Sequence, residues 1–189
     1  DGENANMGGS GTAWTAALTI SGDETEQNTV FSCASHVDAA GNAGATDTDA
    51  NSGAVTVDYT APTSTSAVIA TSGSGNANDG DVVTLTLDPS EAVGQPTCTW
   101  TDGAGAMADT SVTYGTTGSD SHTAAVTVDN ADQDGAVGFS CTYSDLAGNA
   151  IATAITSATS GAVTIDNTHP TLTAVGIAVD NAGNANNGD

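Results

Sequence analysis

The sequence contains no lysine and no arginine. Its 189 residues carry 23 acidic side chains, three histidines and a formal net charge of −23, where an ordinary soluble domain mixes both signs. The absence of bases removes whole classes of chemistry. Nucleic acids are bound by setting cations against phosphate, so they are not expected as partners. A P-loop lacks its lysine, and Schiff-base and lysine-nucleophile catalysis lack their amine. A lysine–asparagine isopeptide staple is excluded for the same reason, and trypsin-like proteases find no site. Aromatics are scarce at 4%. No apolar run approaches the roughly 20 residues of a membrane span, and no anchor motif is visible, so membrane insertion is not expected. No stretch shows a helical apolar period of useful length. Charge of one sign keeps a chain soluble but repels its compact state. A salty or Ca²⁺-containing exterior suits such a chain.

What the sequence does contain is a repeat. Val55 to Asp81 and Val163 to Asp189 match without a gap at 15 of 27 positions, with an offset of 108 residues. Trp14 to Ile20 falls on His122 to Val128, and Phe31-Ser32-Cys33 on Phe139-Ser140-Cys141, at the same offset. Asp38 and Gly41-Asn42 match Asp145 and Gly148-Asn149 at 107, and Ser52-Gly53-Ala54-Val55 returns to 108 against Ser160 to Val163. One slipped residue between two in-register blocks is a loop event. Length and repeat divide the chain into 1–57, the C-terminal part of one unit; 58–166, a complete unit; and 167–189, the N-terminal part of a third. The chain opens on Asp1, the counterpart of Asp109, so it is read as an internal piece of a longer array. Residues 1–57 are expected to take their first strands from upstream sequence or from a neighbouring chain, as in donor-strand fibres.

Within the unit, clusters of Gly, Asn and Asp punctuate short runs of Val, Thr, Ile and Leu. These predict strands at 65–70, 82–87, 96–100, 111–114, 123–128, 137–143, 150–155 and 162–165. Val83, Leu85 and Leu87 share one face by the period of two. Seven or eight short strands in about 108 residues predict an all-β fold of tandem immunoglobulin-like β-sandwiches. The period also puts Cys98 and Trp100 on one face, and Phe139, Cys141 and Tyr143 on another, so that a Cys98–Cys141 disulfide packs against Trp100 and Phe139. Cys33 is the counterpart of Cys141. Its partner is expected outside residues 1–189 or in a neighbouring chain; the other reading is a reactive thiol. Paired cysteines imply an oxidising, extracellular or cell-surface setting.

The order Asp58-Tyr59-Thr60-Ala61-Pro62-Thr63, Gly80-Asp81-Val82-Val83-Thr84, Ser90-Glu91-Ala92-Val93, Asp134-Gly135-Ala136-Val137-Gly138-Phe139 and Asp145-Leu146-Ala147-Gly148-Asn149 resembles the bacterial Ig-like (Big) repeats strung along giant surface adhesins and other secreted fibres. The resemblance spans the whole chain. It implies an extracellular spacer or scaffold and Ca²⁺ at unit junctions. The cysteine pair and the lack of bases depart from the family pattern.

Asn76, Asn78, Asp79 and Asp81, with Asn184, Asn186 and Asp189 in the next copy, alternate oxygen-bearing side chains with glycine; Asp58 and Asp166 lie at the junctions and are placed to face such a loop. Two readings stay open: a site for a hard cation such as Ca²⁺, or a plain turn. No other cofactor is implied. The acidic runs at 23–26 and 129–134 read as solvated hairpin tips, and Asp88 with Glu91 as an ordinary pair of loop carboxylates. His36, His122 and His169 have no histidine counterpart in the other copy, so no histidine-dependent site belongs to the unit, and no enzyme is expected. The sequence therefore predicts a structural protein, a rod, stalk or filament whose partners are adjacent repeats or neighbouring copies. A carbohydrate- or surface-binding adhesin module ranks below it, because Tyr59 becomes Asn167 and Trp14 becomes His122, leaving no aromatic platform that recurs. A filament subunit completed by strand donation is the third reading.

Overall fold

The structure is a computed structural model and describes residues 7–10, 13–22, 24–34, 36–48, 53, 55–118 and 120–178. The described residues are all-β, with no helix. Two short hairpin pairings come first: β1 (Met7–Ser10) with β2 (Ala13–Ala16), and β3 (Gln27–Asn28) with β4 (Thr56–Val57). The longer strands follow as β5 (Ser64–Thr71), β6 (Val82–Pro89), β7 (Thr97–Thr101), β8 (Thr113–Thr116) and β9 (His122–Thr127). β10 (Gly135–Ala136), β11 (Gly138–Thr142) and β12 (Thr164–Ile165) complete the set.

β5, β6, β9 and β8 form one antiparallel sheet in that order. β7 pairs with β11, whose other edge meets residue 155 through a Cys141–Ile155 bridge, and β10 pairs with β12. The inward faces of these sheets meet in a single core, so the fold is sandwich-like. Strand alternation decides who enters it. Val83, Leu85 and Leu87 of β6 are fully buried while Thr84 and Thr86 between them are not. Opposite them stand Cys98 and Trp100 of β7 and Phe139 and Cys141 of β11. The Trp100 and Phe139 rings tilt against each other at 56° with centroids 6.0 Å apart, within the separation at which aromatic pairs attract.

Cys98 and Cys141 form a disulfide, with Cα atoms 4.2 Å apart. The register explains it. The backbone of Cys141 exchanges hydrogen bonds with Ile155, at 3.0 and 2.9 Å, so its polar groups point away from β7. Cys98 and Cys141 are therefore a non-hydrogen-bonded pair, where antiparallel strands approach most closely. The bridge joins neighbouring strands of one layer.

The predicted strands map onto β5 to β9, β11 and β12 with shifts of one or two residues at their ends. The exception is 150–155, which is not a strand. Tyr143 accepts from Ile151, while Cys141 pairs with Ile155. Two steps from Cys141 to Tyr143, just past β11, thus oppose four from Ile155 to Ile151, and the extra residues bulge the ladder into two isolated bridges.

The pairing of residues 27–57 recurs in residues 135–165. Gln27 pairs Val57 as Gly135 pairs Ile165. Thr29 donates to Val55 as Val137 donates to Val163, and Cys33 exchanges bonds with Asp47 as Cys141 does with Ile155. Gly44 donates to His36 as Ile151 donates to Tyr143. His36 and Gly44 therefore carry the offset of 107, whereas Cys33 and Asp47 carry 108, which confines the slip to a single hairpin.

Candidate functional site

The expected junction residues divide between two places. Asp166 follows β12 and lies beside the loop after β5: its N–H donates to the carbonyl of Ala77 at 2.9 Å, and Asn167 accepts from the N–H of Asp79 at 3.0 Å. In that loop Asn76, Asn78 and Asp79 are exposed. The Asp81 carboxylate accepts from the N–H of Asn78 and the hydroxyl of Ser72, at 3.0 and 3.2 Å, and so closes the turn on itself. Asn184, Asn186 and Asp189 lie outside the described residues.

Asp58 stands elsewhere, after β4, in company that the spacing of the sequence does not reveal. Asp58, Glu91 and Asp145 each present a carboxylate oxygen, and the three atoms lie within 4.8 Å of one another. Local turns set each arm. Asp58 accepts from the N–H of Thr60 at 3.0 Å, the self-capping that makes aspartate a turn former. Glu91 rides on the turn that ends β6, where Ser90 donates to Thr63. Asp145 is buried and begins the Asp145–Asn149 turn. One of its oxygens accepts from the N–H groups of Gly148 and Asn149 at 2.7 and 2.8 Å, and the other from the Asn149 side chain at 2.8 Å. The same side-chain amide donates to the carbonyl of Asp58 at 3.0 Å, joining the linker to the turn. A Val93–Asp145 bridge brings the Glu91 turn alongside.

The electrostatics of the three carboxylates differ. Burial and the negative charges of Asp58, Asp145 and Glu26 push Glu91 above its ordinary pKa. Burial also acts on Asp145, but the hydrogen bonds from Asn149, Gly148 and Ala147 outweigh it and hold that carboxyl low. The chain has no lysine or arginine to offset this charge. Oxygen-only donors suit a hard ion such as Ca²⁺. Asp88 does not join Glu91; it accepts instead from the hydroxyl of Ser121.

In the acidic runs expected to be solvated tips, Asp23 lies outside the described residues, Asp129 is exposed as expected, and Asp132, Asp134, Glu24 and Glu26 anchor backbone and hydroxyl donors. Asp132 is buried and accepts from the N–H groups of Ala108 and Asp129, at 2.6 and 2.8 Å. Asp134 accepts from the hydroxyl of Thr168 and the N–H of Asn167, which hold its pKa down. Glu26, 108 residues earlier, accepts from the hydroxyl of Thr60 and the N–H of Tyr59 with the same effect. Glu24 receives the N–H groups of Ser21 and Gly22 and the Tyr59 hydroxyl. The Ser21 N–H is the largest influence in lowering its pKa to about 2. These loops look polar and featureless in the sequence because a backbone N–H donor has no residue signature. The offset of 108 between Glu26 and Asp134 was the available clue.

No protein-family model, curated protein or solved structure matches the chain.

Proposed function

We propose that this chain is part of an extracellular rod, stalk or filament built from tandem immunoglobulin-like sandwiches of about 108 residues, related to the bacterial Ig-like repeats. The observation that carries this reading is the recurring joint. Glu26 grips Tyr59 and Thr60, and Asp134 grips Asn167 and Thr168 through the same groups. Each grip fastens the hairpin end of one unit to the linker that opens the next. Thr60 and Thr168 each lie two residues before a proline, which stiffens the connection by fixing φ and biasing its predecessor to extended geometry. A repeated, braced joint is what a spacer needs, and it has no purpose in a lone domain.

The strand order supports the immunoglobulin-like assignment. β5-β6-β9-β8 corresponds to the A-B-E-D sheet of such domains, and β7 with β11 and the segment near Ile155 to C-F-G. The disulfide departs from that pattern by linking C to F within one layer. A disulfide and a chain without bases both favour the cell exterior.

Solution scattering on polypeptides with increasing numbers of units tests the reading. The expected outcome is a maximum dimension that grows by a constant increment of roughly 30–40 Å per unit, about the diameter of a 100-residue globule. Growth as the cube root of mass would replace the rod with a compact assembly.

A further inference from the structure

We infer that the face carrying Leu18, Phe31 and Val55 is a docking surface for a further segment of the repeat's own kind, three strands patterned like β5, β6 and β7. The inference rests on the tandem reading and extends it by naming what the incomplete region binds. Residues 27–57 and 135–165 form matching hydrogen bonds, yet apolar side chains that are covered in one copy are bare in the other. Leu18 is 47% exposed where its counterpart Val126 is 2%. Phe31 is 46% exposed against 8% for Phe139, and Val55 is 61% against 3% for Val163.

Backbone geometry makes the same point without side chains. Gly53 and Gly161 share a left-handed conformation, with φ of 78° and 83°. At Gly161 a β-carbon would strike the Ile69 carbonyl of β5, whereas nothing lies within 4 Å of the same position at Gly53. The conformation that lets a strand pass closely over glycine is therefore present in both copies, and among the described residues only one has the strand.

What covers the complete copy is known from its register. β6 pairs along β9, β7 along β11, and Val68 of β5 bridges to Ser160. Among the described residues β2, the counterpart of the start of β9, pairs only with β1. The occupant must supply the inward row that Ile69, Val83, Leu85, Leu87, Cys98 and Trp100 supply in the complete copy, with a cysteine standing opposite Cys33. A second copy of this chain does not provide it. Its β7 is covalently tied to its own β11, its β6 is paired on both edges, and residues 166–189 repeat the sequence through β5 to Asp81 without the counterparts of β6 and β7. The occupant is thus another β5–β7 segment, outside residues 1–189.

Fusing an extra copy of residues 58–108 directly before Asp1 tests this, because Ala108 precedes Asp109, the counterpart of Asp1. Amide hydrogen exchange at residues 16–20 and 31–33 is expected to slow by roughly 100-fold or more, with exchange in 58–165 of the original copy unchanged. Leu18→Asp in the same fusion restores fast exchange at 16–20. Two results overturn the inference: exchange at 16–33 as fast in the fusion as in the original chain, or protection of these amides in the original chain that appears with concentration-dependent dimers. Failure of the tandem reading shows separately, in the scattering of multi-unit polypeptides, and leaves this exchange readout intact.

Discussion

Residues 13–57 and 121–165 follow one pattern with two outcomes. In both, an aspartate caps a turn by receiving the following N–H groups and an asparagine amide: Asp38 with Asn42, and Asp145 with Asn149. In both, hydrogen bonds between Cys33 and Asp47, or Cys141 and Ile155, close the hairpin. Among the described residues, only the second copy contributes to the core cluster. The difference teaches that these turns and ladders are specified by their own residues, and that burial is not. An apolar face exists in either copy, but its value depends on strands drawn from 40 to 90 residues away.

The comparison can be broken most sharply by reducing the disulfide. Cys98 and Cys141 close a loop with a sequence separation of 43, worth about 4 kcal/mol in the chain-entropy account. Denaturant unfolding of the 58–165 core is expected to weaken by that amount under reductant, with no change in the exchange rates of residues 14–57. An unchanged midpoint would remove the bridge from the stability of the fold.

The two phenylalanines give a matched pair. Phe139→Ala vacates a space against Trp100 and is expected to cost about 3 kcal/mol. Phe31→Ala, at the same position of the bare copy, is expected to cost less than about 0.5 kcal/mol. Equal costs would mean that the bare face is covered in solution. The glycines form a second pair with smaller stakes. Gly161→Ala meets both a left-handed φ and the Ile69 carbonyl, for about 2–3 kcal/mol. Gly53→Ala meets the φ alone, for about 1 kcal/mol. Both are read from urea midpoints.

The smallest expected effect concerns Glu91, and its sign separates it from the other carboxylates. Its pKa is raised in the folded state, so the stability linked to its proton is present at low pH and lost as pH rises through that value. Glu91→Gln removes the repulsion and is expected to raise the neutral-pH melting temperature slightly, with no gain below the ordinary carboxylate range. The lowered groups, Asp145, Asp134 and Glu26, act oppositely: their contribution is present above the unfolded pKa and lost as pH falls through the folded one. Parallel melting curves of Glu91→Gln and the parent from pH 3 to 8 check both signs. A Ca²⁺-dependent rise in the parent that Glu91→Gln abolishes would assign the cluster to the ion.

Much of this was legible in the residues. Alternation in Val82 to Leu87 fixed which face of β6 turns inward, and the offset of 108 made Cys98 and Cys141 partners before any strand was placed. The segment 150–155 misled, because it looks like one strand and forms two isolated bridges, at Ala150 and Ile155, around a bulge. The acidic cluster was half visible. Asp58 was marked by its junction, but Glu91 and Asp145 had no reason to meet it until the Val93–Asp145 bridge folded one turn against the other. The anchoring of Asp132 by Ala108 and Asp129 was invisible for the same reason.

The sequence by itself determined the periodic unit, the inward rows of its strands, the cysteine pair and the turns that aspartate and asparagine cap, since each depends on neighbours a few residues apart or on an exact internal copy. Only the tertiary structure decided which apolar rows find cover, which carboxylates crowd together and which acidic loops become joints. Those outcomes depend on groups brought together from distant parts of the chain, and on backbone donors that every residue but proline carries alike.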